Sequence, residues 1–190
     1  MTRPAVFLDR DGTLIEERGY LDRLELLHVF PWTPDAIRLL NRAGYATVVI
    51  TNQSAIGRAI IDEPFLHQVH AALDERLAAG RARIDAYYFC PHHPEAAIER
   101  YRQVCRCRKP GPGMIEQACR DLDLDPQRSV MVGDRWLDVA SGRAAGTRTV
   151  LVRTGHGSVD ADQPPSDLEA DAILNNLMEA VGWILRNSSR

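Results

Sequence analysis

Pro4-Ala-Val-Phe-Leu-Asp-Arg-Asp-Gly-Thr13 is an apolar run that ends abruptly in an acidic turn. Pro4 to Leu8 reads as a short buried strand. Asp9 and Asp11 then place two carboxylates at the strand's end, and Gly12 permits a tight turn. A carboxylate can attack phosphorus and so divide a hydrolysis into two easier steps. A second carboxyl group can protonate the leaving oxygen and then take a proton from the attacking water. An anion attacking an anionic phosphate needs a cation between them, and Mg²⁺ suits an all-oxygen site. Taken alone, the turn is also compatible with a strand cap or a weak calcium site.

The same pattern recurs outward from this stretch. Tyr45 to Ile50 is β-branched and apolar, reads as a buried strand, and ends in the polar cluster Thr51-Asn52-Gln53-Ser54. Between the two strands a helix opens at Thr33-Pro34, with Thr33 as N-cap, Ala36, Leu39, Leu40 and Ala43 inward, and Gly44 as stop. Pro64 to Ala79 reads as a helix ended by Gly80, and Ala86 to Phe89 as a strand running into Cys90. Gly113 to Leu122 is a helix, and Ser129 to Val132 a strand ending at Gly133-Asp134. Trp136 to Ala145 is a helix, Thr149 to Val152 a strand, Ala172 to Leu174 an edge strand, and Leu177 to Arg186 a closing helix. This alternation predicts an α/β fold with a mostly parallel sheet and helices on both faces. Ligands in such sheets bind at the carboxyl ends of the strands, where the polar clusters fall.

The chain has 190 residues and a formal net charge of -3. That length suits one domain over residues 1–190. The acidic balance argues against a general nucleic-acid binder. No apolar run approaches the roughly 18 residues of a membrane span, and Met1 to Pro4 lacks a signal-peptide stretch. A cytoplasmic protein with no membrane partner, acting as a monomer, is expected. The basic residues comprise 22 Arg and a single Lys, Lys109. A composition so biased toward Arg would replace that Lys if Arg were acceptable there.

Lys109 joins a wider constellation. Thr51 and Asn52 can hydrogen-bond phosphate oxygens, and Lys109 supplies a point charge for them. Asp134 offers a carboxylate to complete a Mg²⁺ site, and Asp138, one helical turn on, can support it through water.

The segment from Cys90 to Gly113 has no period of its own and reads as a long functional insertion. It holds Cys90-Pro-His92 and Cys105-Arg-Cys107. Three thiolates and one imidazole match a closed structural zinc site, with the zinc loop at about residues 90–107. His93 is an adjacent alternative ligand, better placed as an outer partner, and Cys119 belongs to a helix core. The loop is basic, and Arg108 beside Lys109 is a candidate for gripping a second phosphate or a sugar hydroxyl.

Asp9-Arg-Asp-Gly-Thr13, Thr51-Asn52, Lys109-Pro110 and Gly133-Asp134 with Asp138 resemble, in order, the four motifs of the haloacid dehalogenase (HAD) superfamily. The resemblance covers roughly residues 5 to 155. It implies a Rossmann-like domain without a large cap domain, with Asp9 as nucleophile and Asp11 as general acid/base. It also implies Mg²⁺ held by Asp9, the Asp11 carbonyl and Asp134, with Thr51 and Lys109 on the phosphate.

Cys90-Pro-His-His-Pro94, Arg102-Gln-Val-Cys-Arg-Cys-Arg-Lys-Pro110 and Pro112-Gly-Met114 are similar to the D-glycero-D-manno-heptose 1,7-bisphosphate 7-phosphatases. So are Glu17-Arg18-Gly19-Tyr20, a substrate-contacting loop in that family, and Asn52-Gln53-Ser54. The implied partner is a small sugar bisphosphate, dephosphorylated in nucleotide-heptose biosynthesis. Ala55 where that family has Gly, and Arg135 where Lys is common, are departures. The rival readings are histidinol-phosphate phosphatase, whose zinc loop is shorter, polynucleotide 3′-phosphatase, and a non-catalytic zinc-stabilised module.

Overall fold

The computed structural model describes residues 2–188. Six strands form one sheet: β1 (Ala5–Leu8), β2 (Ala46–Asn52), β3 (Ala86–Cys90), β4 (Val130–Gly133), β5 (Arg148–Val152) and β6 (Ala172–Leu174). Their order is β3-β2-β1-β4-β5-β6, and every neighbouring pair is parallel. Among the described residues seven α-helices connect or cover them: α1 (Thr33–Arg42), α2 (Ser54–Gly57), α3 (Glu63–Ala79), α4 (Gly113–Leu122), α5 (Trp136–Ala144), α6 (Gly157–Asp160) and α7 (Leu177–Arg186).

The central strands are apolar on both sides because both faces are covered. Val6, Leu8, Val49, Val130 and Val132 point into one core with Ile37 and Leu40 of α1, Leu73 of α3 and Val181 of α7. Ala5, Phe7, Val48, Ile50 and Met131 point the other way, onto Met114, Ile115 and Ala118 of α4. A right-handed crossover puts its helix on one face when the chain steps one way along the sheet, and on the other when it steps back. The chain steps outward from β1 to β3 and then restarts at β4 on the other side of β1. That reversal leaves a crevice at the carboxyl ends of β1 and β4.

The fold class expected from the sequence is the one observed, and local details differ. Thr33 is the first residue of α1 rather than its N-cap: Trp32 occupies that place, and the Thr33 hydroxyl donates to the Leu14 carbonyl at 2.9 Å. The inward face of α1 is therefore Thr33, Ala36, Ile37 and Leu40, while Leu39 is exposed. The strands also run further than their apolar cores, carrying Thr51, Asn52, Cys90 and Gly133 within the sheet. The short helices α2 and α6, for which the sequence pattern gave no helix, each follow directly on a site loop. No helix among the described residues is long and apolar enough to cross a membrane.

Candidate active site

Asp9 leaves β1 and Asp134 leaves β4, so two strands paired in the sheet deliver both carboxylates to the crevice. Gly12 and Gly155 make room for Asp134. Both have positive φ, +80° and +55°, and a Cβ at either would collide with the Asp134 carboxylate. The Thr154 hydroxyl donates to the Gly12 carbonyl at 2.6 Å and ties the two turns together.

Lys109 is the cation of the site and is 2 % exposed. Its ammonium lies 2.8 Å from Asp9 Oδ1 and 2.6 Å from Asp138 Oδ1, and donates to the Ile50 carbonyl at 2.9 Å. Three oxygens thus surround one ammonium, an arrangement that a planar guanidinium could not reproduce. This accounts for the one Lys in an Arg-rich chain. Asp138 pairs with Lys109 at 2.6 Å, and its Oδ2 accepts the Arg135 N–H at 3.0 Å. Asn52 also works on Lys109: its amide donates to the Lys109 carbonyl at 3.1 Å and accepts the Lys109 N–H at 3.0 Å.

Three buried carboxylates, Asp9, Asp134 and Asp138, face this single ammonium, and their oxygens lie within 4.8 Å of one another. Burial pushes the Asp9 carboxyl up to about 7, Lys109 opposing and Asp138 and Asp11 adding to the rise. Burial, with Asp9 and Asp138 beside it, pushes Asp134 up to about 9. Asp134 Oδ2 accepts the His156 N–H at 2.7 Å, while Oδ1 is buried without a hydrogen-bond partner. A surplus of buried negative charge with an unpartnered oxygen fits a divalent cation.

Asp11 is held at the wall of the crevice. Arg10, itself 2 % exposed, reaches both Asp11 oxygens through Nε and Nη2 at 2.9–3.2 Å. Gln53 Nε2 donates to Asp11 Oδ2 at 2.9 Å and to Thr51 Oγ1 at 2.8 Å. Behind Arg10, His70 stacks on Tyr87 with ring centres 4.2 Å apart. Burial and the nearby Arg10 guanidinium lower the His70 pKa to about 3.

The cleft above these groups has a volume of about 370 Å³. Of the residues singled out in the sequence, Asp9, Asp11, Glu17, Gly19, Tyr20, Thr51, Asn52, Gln53, Ser54, Arg108, Lys109 and Asp134 all line it. Arg18 does not: its exposed side chain pairs with Glu16. His156, Leu137 and Arg10 line it without having been anticipated. His156 carries no motif in the sequence, and only the turn after β5 brings it to Asp134.

Beside the cleft, the side chains of Cys90, His92, Cys105 and Cys107 converge. All six distances between the three sulfurs and His92 Nδ1 fall between 3.0 and 3.6 Å. Four equidistant donors describe a tetrahedron, the geometry of a closed zinc site, and the cysteines form no disulfide. His93 takes no part: its Nε2 lies 3.3 Å from Arg58 and its Nδ1 accepts the Glu95 N–H. Cys119 packs against the α4-side core, as its helical position predicted. The cluster sits next to the active site because Arg108 and Lys109 follow Cys107 at once, and Arg108 Nη1 donates to the His92 carbonyl at 3.0 Å.

Sheet order, carboxylate pair and buried Lys together define a phosphatase of the HAD-like class, and comparison with known proteins agrees. Residues 106–180 match the family model described as HAD-hydrolase-like. The chain is 42 % identical to the D-glycero-beta-D-manno-heptose-1,7-bisphosphate 7-phosphatase of Salmonella typhi, over 93 % of this chain and 92 % of that one. It is 39 % identical to the Haemophilus ducreyi protein of the same name, over 97 % of this chain and all of the other. The crystal structure of D,D-heptose 1,7-bisphosphate phosphatase from B. bronchiseptica, complexed with magnesium and phosphate, superposes with a TM-score of 0.86. It is 29 % identical, with 96 % of this chain and 98 % of that one covered. The chain belongs to the D-glycero-beta-D-manno-heptose-1,7-bisphosphate 7-phosphatase family.

Proposed function

We propose that this enzyme removes the 7-phosphate from D-glycero-beta-D-manno-heptose 1,7-bisphosphate and leaves the 1-phosphate in place, serving nucleotide-heptose biosynthesis. The observation that carries the reading is the make-up of the cleft. Glu17, Gly19, Tyr20, Ser54 and Arg108, the segments that resemble the heptose enzymes outside the shared catalytic core, line the same cavity as Asp9. Related proteins of that name, similar over nearly the whole chain, support it.

In this reading an Asp9 oxygen attacks phosphorus, the bond from phosphorus to the sugar oxygen breaks, and Asp11 gives that oxygen a proton. Water then attacks phosphorus of the Asp9 acyl phosphate, Asp11 takes its proton, and inorganic phosphate leaves. Thr51 and Lys109 hold the non-bridging oxygens, and Arg108 grips the distal part of the sugar phosphate. Asp9, the Asp11 carbonyl and Asp134 would hold Mg²⁺, which supplies charge neutralisation on the phosphate. Zinc on Cys90, His92, Cys105 and Cys107 would fix the loop that presents Arg108 and Lys109. The chain acts as a cytoplasmic monomer.

The test compares heptose 1,7-bisphosphate, hexose monophosphates and histidinol phosphate by kcat/KM, with the product examined by phosphorus NMR. The expected result is preference for the bisphosphate, loss of the 7-phosphate resonance and retention of the anomeric one. Asp9→Asn should abolish turnover with zinc content unchanged. A better rate on histidinol phosphate, or release of the 1-phosphate, would overturn the substrate. Near-normal activity in Asp9→Asn would overturn the mechanism.

A further inference from the structure

Arg10 lies between the two carboxylates in sequence, yet its side chain is enclosed and bound to Asp11 at the edge of the cleft. Arg is almost never buried unless paired, and the one carboxylate paired with it among the described residues is Asp11. All four distances from Nε and Nη2 to the Asp11 oxygens are 2.9–3.2 Å. The remaining nitrogen, Nη1, is shut off from solvent and has no partner, so it is not available to a phosphate in the cleft.

The guanidinium has little freedom to shift. The Arg10 N–H donates to Asp9 Oδ1 at 2.8 Å, and the Arg10 carbonyl accepts from Leu14 at 2.9 Å and Ile15 at 3.1 Å. His70, stacked on Tyr87, stands behind it. Gln53 closes on Asp11 from the other side.

We propose that Arg10 is a positioning residue for the acid/base step, fixing the Asp11 carboxyl at the cleft wall where it can protonate the leaving oxygen. The proposal rests on the assignment of Asp11 as the acid/base group. A general acid must stand within hydrogen-bond reach of its target, and a side chain free to rotate spends little time there. Arg10 acts on the substrate only through Asp11. Its removal should therefore matter in proportion to how much the leaving group needs a proton.

The experiment measures kcat/KM, which reports steps up to cleavage of the phosphorus–oxygen bond, for a sugar phosphate and for p-nitrophenyl phosphate. A sugar alkoxide needs protonation and nitrophenolate does not. Arg10→Gln should lose about 100-fold on the sugar phosphate and less than about 3-fold on the aryl ester. Arg10→Lys, which keeps the charge and a donor, should recover part of the loss, to within about 10-fold of wild type. In an Asp11→Asn background, Arg10→Gln should cost the sugar phosphate nothing further. Equal losses on both esters in both Arg10 variants, or losses that multiply with Asp11→Asn, would overturn the proposal. Asp11→Asn alone tests the reading beneath it. If that variant slows both esters alike, the acid assignment falls and the role of Arg10 with it. If it separates the esters and the Arg10 variants do not, only the proposal for Arg10 falls.

Discussion

The side-chain amide of Asn52 forms two hydrogen bonds with the backbone of Lys109, one to the carbonyl at 3.1 Å and one from the N–H at 3.0 Å. This pair joins the end of β2 to the exit of the cysteine loop, and it explains how the Lys109 ammonium keeps its place in front of Asp9. Asn52→Ala should lower kcat/KM by about 10- to 100-fold with secondary structure and zinc content intact. Steady-state kinetics beside circular dichroism would check it, and an unaffected rate would mean that Lys109 is held without Asn52.

Asp138 is 0 % exposed and faces Lys109 at 2.6 Å. Removing one partner of a buried ion pair costs more than the pair contributes, because a charge is left stranded. Asp138→Leu should therefore lower unfolding stability by about 3–5 kcal/mol. Asp138→Asn, which keeps the shape and can still accept the Arg135 N–H, should cost less. Urea unfolding of the two variants would show this order; equal costs would assign the role of Asp138 to its charge toward Lys109 alone, with no part for the cap bond to Arg135.

The cysteine cluster should carry one zinc per chain, and the metal should be structural, since four protein ligands leave no open position. Stripping the zinc, or Cys107→Ser, should loosen Arg108 and Lys109 together, raising KM and lowering kcat. Elemental analysis of protein purified without chelators, followed by kinetics before and after metal removal, tests both points. Full activity in zinc-free protein would contradict the link between the loop and the site.

His70 makes acid stability sensitive to one proton. Its ring would titrate near 6.5 in the unfolded chain and only near 3 when folded, chiefly because it is buried and secondarily because Arg10 is near. Between those values the unfolded chain binds the extra proton, so stability is complete above pH 6.5 and declines as the pH falls toward 3. The contribution to the slope is up to about 1.4 kcal/mol per pH unit. His70→Phe keeps a ring against Tyr87 without the titration, and its stability curve from urea unfolding should be shallower by up to that amount. Identical slopes in the two proteins would exclude His70 as the source.

The strands and main helices could be read from the chain because their signals are local. An apolar strand buried on both faces, a Pro in the first turn of a helix and a Gly at its end each depend on a few neighbouring residues. Asp9, Asp11, Thr51, Lys109 and Asp134 were legible for a related reason: each stands where an apolar run stops, or is the only residue of its type. The cysteine cluster was legible because thiols and imidazole crowd one irregular segment. Other features depend on groups far apart in the chain, and these only the tertiary structure decided. Asp138 looked like a distant helper, and folding sets it against Lys109. Arg10 stood inside the acidic motif without a reading of its own, and in the fold it is buried near His70 and Tyr87 of α3 and β3 and bonded to Asp11. Arg18 sat within a segment resembling a substrate loop, and the loop's own Glu16 draws it away. His156 had no pattern around it, and the turn after β5 carries it to Asp134. Alternation of polarity along the chain specifies which side of a strand or helix is buried. The direction of a charged side chain is set by the nearest opposite charge in space, and the fold alone brings that charge near.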